Sequence, residues 1–242
     1  MALTDDVWRA VIQAIEAAMP EYDPVNQKVS LGRAQKAREY AAEQLQLGGE
    51  MLILDAGIGP GTMAEVVLRK ADGVRVVGLD VSATLLNAAR ERLELGFGSR
   101  VHFVRGVFEA LPLRNGIFQR ITSAYAFRDA RDRATAIEEL ARASAGEGVF
   151  GIVDLGKPNS RVKRIFIDLY VKYLMPVIAK LSMSNAIVGN PWRMIYPTYQ
   201  ALGNNEELVE ALRIKFRDVR IKEFLLGGVI FVSASKTFAD DS

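Results

Sequence analysis

The stretch MLILDAGIGPGT, residues 51–62, constrains this chain more than any other. An apolar run, 51–54, ends at an acid, Asp55, and glycines follow at alternate positions, Gly57, Gly59 and Gly61. From Met63 the pattern is helical, so the order is strand, tight glycine loop, helix start. Glycine has no Cβ, so such a loop turns sharply and can bring its backbone against a ligand. Free N–H groups at the helix start favour polar or anionic ligand atoms. A second apolar run, 74–79, also ends at an acid, Asp80. A carboxylate at the tip of the second strand can accept hydrogen bonds from both hydroxyls of a nucleoside's ribose. The dinucleotide fingerprint G-x-G-x-x-G would need its third glycine where Thr62 stands. The pattern is instead D-x-G-x-G-x-G, which disfavours a nicotinamide dehydrogenase.

Composition removes other chemistries. The 242 residues are enough for one large α/β domain, and half of them are hydrophobic, which excludes a disordered chain. A net charge of +2 gives no global drive toward nucleic acid. Without cysteine there is no thiol catalysis or disulfide, and with His102 as the one histidine a Ser-His-Asp triad or His-rich metal site is disfavoured. His102 opens the third strand and is read as structural. The start, MALTDDVWRA, is acidic and unlike a signal peptide, and no charge-free run approaches the ~20 residues of a membrane span. The expected compartment is the cytoplasm.

Periodicity then divides the chain. Thr4 caps a helix with Val7, Val11, Ala14, Ile15 and Ala18 on one face, ended by Pro20. A polar stretch, EYDPVNQKVSLG, leads to a second helix over 33–46, closed by Gly48-Gly49. These helices, residues 1–48, form an N-terminal addition, read as packing or as a cap over the active site. Residues 49–242 form the main domain. Strands are expected at 51–55, 74–79, 101–104, 119–124 and 148–155, alternating with helices at 63–70, 82–95 and 133–145, the last ended by Gly146. That alternation argues a parallel sheet. Residues 159–204 read as a helical insertion: 161–183 is an amphipathic helix interrupted near Pro176, either packed on the sheet or forming an apolar lid that touches a membrane. A helix over 205–215 and two strands, 219–224 and 229–235, joined by a Leu225-to-Gly228 turn, end the chain in a β-hairpin.

The glycine loop resembles the first motif of class I S-adenosylmethionine-dependent methyltransferases. Further stretches resemble the menaquinone/ubiquinone biosynthesis C-methyltransferases in order along nearly the whole chain: YDPVNQKVSLG (22–32), VRGVFEALPL (104–113), AYAFRDARD (124–132), DLGKP (154–158), TYQALGNNEEL (198–208) and LLGGVIFVSASK (225–236). The chain departs from that family in three places. Val107 follows the glycine of the third-strand motif where the family has an acid or amide, so a backbone carbonyl or Glu109 would meet the adenine amino group. Thr62 stands where the family has an acid, and Asp129 where it has Asn.

The resemblance implies a Rossmann-like class I methyltransferase fold, α/β, with a mostly parallel seven-stranded sheet, an antiparallel C-terminal hairpin strand and an N-terminal helical cap. It implies S-adenosylmethionine as cofactor, S-adenosylhomocysteine as product and no metal. The implied reaction is C-methylation of a reduced demethylmenaquinone or related prenylated quinol, with peripheral membrane contact and a homodimer left open. Methylation of O or N on another apolar small molecule, and non-catalytic binding of S-adenosylmethionine, are the alternatives. The cofactor residues would be Asp55, Gly57, Gly59, Gly61, Asp80, Val81, Val107, Phe108 and Ser123, with Asp55 near the methionine amino end. Around the acceptor ring, Arg128, Asp154 and Tyr22 are the catalytic candidates, and Asn26, Asp129, Tyr170 and Tyr199 the binding ones. Asp154 ends the fifth strand, where open α/β sheets place site residues.

Overall fold

A computed structural model of the chain describes residues 3–184 and 187–237. The ends of the expected cap and main domain (1–2 and 238–242), and residues 185–186 of the expected insertion, lie outside them. Seven strands form one sheet in the order β3-β2-β1-β4-β5-β7-β6. They are β1 (Met51–Ala56), β2 (Val74–Asp80), β3 (Val101–Arg105), β4 (Phe118–Ala124), β5 (Ser144–Leu155), β6 (Asp218–Phe224) and β7 (Val229–Ser235). β1 runs parallel to β2 and β4, and Asp55 sits level with Gly78 on one side and Thr122 on the other. β7 is antiparallel to both β5 and β6, so the C-terminal hairpin supplies the one reversed strand. β1 buries Ile53, Leu54, Asp55 and Ala56 in succession, on both faces, which is why 51–54 reads as an apolar run rather than an alternating one.

Helices cover both faces. On one, α3 (Ala34–Gln44), α4 (Thr62–Lys70) and α5 (Ala83–Phe97) bury Ala41, Val67, Leu68 and Leu93 against Ile53 and Val76. On the other, α6 (Arg133–Ala143) and α10 (Asn205–Arg213) bury Leu140 and Leu212 against Ile121 and Phe150. Caps fix the helix starts: Thr4 Oγ1 accepts from Val7 N–H, and Ser82 Oγ from Leu85 N–H.

A third apolar cluster, with Val25, Val29, Val171, Met175, Trp192 and Tyr199, lies apart from the two sheet cores. It binds together α1 (Asp5–Ala18), α2 (Tyr22–Val29), α7 (Arg161–Leu169), α8 (Met175–Ser182) and α9 (Ile195–Gln200). A single π-helical turn, Tyr170–Leu174, joins α7 to α8 just before Pro176. The expected interruption falls there, because proline lacks the N–H that a continuous helix would need.

Two local expectations need correction. The polar stretch 22–29 is helical, because Pro24 lies in the first turn, where its missing N–H costs nothing. Gly146 does not stop α6: β5 begins at Ser144 and carries Gly146 within it. Within the expected helical insertion, residues 191–200 form a 3₁₀ turn (Pro191–Met194) and α9.

Candidate active site

Two cavities meet above the carboxyl ends of β1, β4 and β5. The narrower one is walled by the glycine loop, the tip of β2 and the turn after β3. Gly57 and Gly59 both take positive φ (+74° and +53°). A Cβ on Gly57 would sit 2.4 Å from Ala126 Cβ, whereas one on Gly59 would meet nothing within 4 Å. Gly57 is thus glycine for packing, and Gly59 leaves open space beside the loop, as a ligand approaching the backbone requires. Asp80 holds the loop from across the cleft: Oδ2 accepts from Gly59 N–H at 2.9 Å, and Oδ1 from Ser82 N–H at 2.9 Å. Burial raises the Asp80 carboxyl, against the pull of those amides. Val81, Val107 and Phe108 complete the wall, and Glu109 borders it with Oε1 accepting from Asp132 N–H.

Not every expected cofactor residue reaches the cavity. Gly61 faces α5, against Leu93 and Ala89. Asp55 and Ser123 lie fully buried beneath the cavity floor, and no oxygen of either side chain has a hydrogen bond of standard geometry. Burial pushes the Asp55 carboxyl up to about 7, opposed by the nearby Ala64 amide and the Arg38 charge.

The larger cavity, about 320 Å³, is apolar and walled by α1, α2, the α7–α8 segment, the α9 region and the β6–β7 turn. Tyr22, Asn26, Arg128, Asp129 and Tyr170 border it; Asp154 and Tyr199 do not. Asn26 Oδ1 accepts from Trp192 Nε1 at 2.9 Å, and Tyr170 donates to Val29 O at 2.5 Å, so both tie the walls together. Tyr199 is wholly buried in the helical core, under Lys157. Asp23, beside Tyr22, accepts from Thr62 Oγ1 at 3.0 Å and pairs with Arg92, which docks α2 onto the glycine-loop helix.

Behind this cavity lies a buried ion cluster. Arg128 Nη1 donates to Asp154 Oδ1 at 2.8 Å and to Tyr125 O at 3.0 Å, and Nη2 stands 3.2 Å from Asp129 Oδ2. Asp154 Oδ2 also accepts from Arg128 N–H at 2.9 Å. Burial disfavours the guanidinium charge, yet the two carboxylates hold Arg128 above its ordinary value. Asp154 is therefore a partner of Arg128, one layer back from either cavity.

Val11, Ile15, Tyr22, Arg38, Tyr125 and Asp129 border both cavities and define their junction. Arg38 and Tyr125 were not singled out from sequence. Arg38 is 5% exposed, makes no ion pair or side-chain hydrogen bond among the described residues, and lies 5.0 Å over the Tyr125 ring. Tyr125 adopts φ +61°, a strained conformation for a bulky residue, held by its N–H donating to Val153 O at 2.6 Å. Burial raises Tyr125 to about 12 and raises Tyr22 too, so both keep their protons at neutral pH. A detectable signal did exist for Arg38: on α3 it shares the buried face with Ala34, Ala37, Ala41 and Ala42. One charge on an otherwise alanine face is anomalous.

The model of the ubiE/COQ5 methyltransferase family matches residues 3–230. The chain belongs to this family. It is an S-adenosylmethionine-dependent methyltransferase, and the open backbone at Gly59 with Asp80 across from it fits that cofactor. Among relatives, the ubiquinone/menaquinone biosynthesis C-methyltransferase of Coxiella burnetii is 26% identical over 241 residues, covering 97% of this chain and 94% of the relative. The demethylmenaquinone methyltransferase of Bacteroides fragilis is 23% identical, covering 93% and 92%. A solved S-adenosylmethionine-dependent methyltransferase from Thermotoga maritima superposes with a TM-score of 0.64 at 17% identity, covering 94% of this chain and all (100%) of that one, and so shares the fold.

Proposed function

We propose that this methyltransferase transfers a methyl group to a ring carbon of a reduced demethylmenaquinone or a closely related prenylated quinol. The observation that carries the reading is the junction: an apolar chamber opens onto the glycine-loop cleft through a ring of polar side chains, Tyr22, Arg38, Tyr125 and Asp129. The relatives named for menaquinone and ubiquinone biosynthesis support the same acceptor class. When bound, S-adenosylmethionine supplies a methyl already activated on a sulfonium, so the protein's part is alignment, exclusion of water and management of one proton. Asp80 would hold the ribose, and the Gly57–Gly59 backbone the methionine end. Arg38, a cation with no carboxylate of its own, would face the oxygen that gains negative charge as the ring becomes nucleophilic.

The outer face of α7 and α8 fits a lipid-tailed acceptor. Val162, Ile165, Phe166, Leu169, Tyr173, Val177 and Leu181 are all exposed, flanked by Arg161, Lys163, Lys172 and Lys180. α7 buries none of its residues. This face would rest on the membrane while Phe166, Ile167 and Tyr170 of the same segment line the chamber, giving the tail a route from lipid. Among the described residues no helix is long and apolar enough to cross a membrane, so the contact would be peripheral. The deciding experiment compares acceptors by redox state. Turnover of a short-tailed demethylnaphthoquinol with labelled S-adenosylmethionine should require the reduced ring. Equal turnover of the oxidised quinone, or none with either, would overturn the acceptor assignment.

A further inference from the structure

We propose that Asp129 is the general base of this chain, taking the proton from the acceptor's ring hydroxyl. The proposal rests on the quinol reading above and assigns the one proton step that reading leaves open. Asp129 borders both cavities, whereas Asp154, the other carboxylate on Arg128, borders neither. Neither Asp129 oxygen accepts a hydrogen bond of standard geometry, and both lie just beneath the cavity wall, so the side chain must turn toward the junction to meet the acceptor hydroxyl. Thr198 spends its hydroxyl on Ile195 O at 3.1 Å, although its proximity still favours the carboxylate form. Asp154, by contrast, is saturated by Arg128 Nη1 and by the amides of Arg128 and Leu155.

The charges around the junction favour the transfer. Within the ion-paired core one guanidinium, Arg128, faces two carboxylates, and Arg133 adds a second positive charge of weaker effect on Asp129, so Asp129 shares its nearest cation with Asp154. The groups that face Asp129 are Arg128 on its own turn, Asp154 on β5, Arg133 on α6, Thr198 on α9 and Tyr22 on α2. Burial, and then Asp154, push its carboxyl up to about 6 while Arg128 opposes them, which leaves it ionised yet basic at neutral pH. Tyr22 and Tyr125 stay protonated and cannot serve.

In the step, the acceptor O–H bond breaks and its proton goes to an Asp129 oxygen. The negative charge so moves from Asp129 to the ring oxygen, where Arg38 can face it. The ring carbon forms its bond to the methyl as the donor's S–CH₃ bond breaks, with that electron pair remaining on sulfur. The hydrogen on the methylated carbon then leaves to water as a proton, the ring regains aromaticity, and Asp129 returns its proton to the oxygen. The net products are methylated quinol, S-adenosylhomocysteine and one proton. This role would also give a reason for aspartate at a position where the resembling family carries asparagine.

The test is kcat/KM against pH for the wild type, Asp129→Asn and Asp129→Glu, using a reduced short-tailed demethylnaphthoquinol, with S-adenosylhomocysteine affinity measured by calorimetry. Asp129→Asn leaves the 2.8 Å Arg128–Asp154 pair intact, so the buried guanidinium keeps a partner. The wild type should lose activity as pH falls through about 6 and be flat above it. Asp129→Asn should be slower by about 100-fold at neutral pH, with its rate rising toward pH ~9 as the acceptor hydroxyl ionises unaided. Its cofactor affinity should be unchanged. Asp129→Glu should recover the acid limb at reduced rate. An Asp129→Asn protein with the wild-type rate and profile would overturn the assignment and leave Asp129 a purely ion-pairing residue. So would an Asp129→Glu protein that turns over without the acid limb. A wild type that methylates no reduced quinol at any pH would sink the acceptor reading itself, a result distinct from either.

Discussion

The two halves of the site are built in opposite ways. The proposed cofactor half is mostly backbone and local sequence: one loop, 57–61, Asp80 at the tip of β2, and Asp55 buried beneath the floor. The acceptor half is made of side chains from α1, α2, α3, the α7–α8 segment, α9 and two turns, which no single stretch of chain brings together. A loop whose role is geometric tolerates little change but needs few residues. A chamber whose role is size and polarity draws on many elements, each replaceable by another of similar volume. Binding of the donor and selection of the acceptor should accordingly separate under mutation.

The largest effect should come where the acceptor half buries charge. Arg128→Gln leaves Asp129 and Asp154 without their shared cation, and loss of one partner in such a cluster costs about 3–5 kcal/mol. Chemical denaturation should show this loss; a mutant of wild-type stability would mean the cluster is looser than its geometry. Next is Asp55, in the cofactor half. Its folded-state carboxyl is raised to about 7 from an ordinary 3.8, so the folded protein binds the extra proton and the group's contribution is lost as pH rises through that window. Asp55→Asn removes the ionisation. Its unfolding free energy in chemical denaturation should match the wild type near pH 4 and exceed it increasingly toward pH 8, by a margin on the order of 2–4 kcal/mol. A margin that does not change with pH would contradict the assignment.

Asp80→Ala sharpens the division further. Loss of a charged acceptor should weaken S-adenosylhomocysteine binding by ~1–3 kcal/mol in calorimetry and leave the acceptor KM alone. Unchanged affinity would remove Asp80 from the ribose. The smallest effect concerns the outer face of the acceptor half. Replacing Ile165 and Leu169 together by serine should lower association with anionic phospholipid vesicles by ~1–2 kcal/mol, without altering turnover of a short-tailed acceptor in solution, since neither lines the chamber. Equal flotation of mutant and wild type would mark this face as bare surface.

The same contrast explains what could be read from sequence. The sheet and its parallel order were legible because apolar runs alternate with capped helices, and the hairpin because two short strands flank a Leu-Leu-Gly-Gly turn. The glycine loop was legible because its spacing is itself the mechanism. The α2 helix was hidden by Pro24 and a polar composition, and β5 was shortened by a glycine that a strand accommodates. Trp192 and Tyr125 reach the chamber only through tertiary packing: Trp192 through its bond to Asn26, Tyr125 through a left-handed turn after β4. The role of Asp154 was ambiguous for the same reason. Its place at a strand end was readable, but its orientation toward Arg128 rather than toward the junction of the chamber and the cleft depends on the turn 127–129.

The central claim is that the junction directs a methyl group to carbon. It is tested most directly by the position of the new methyl in the product. Incubation with methyl-¹³C S-adenosylmethionine and a reduced, short-tailed demethylnaphthoquinol, followed by ¹³C NMR of the extracted ring, should give one resonance at the shift of an aryl-methyl carbon, well upfield of a methoxy carbon, in step with S-adenosylhomocysteine formation. A methoxy resonance instead would place the chemistry on oxygen and contradict the account.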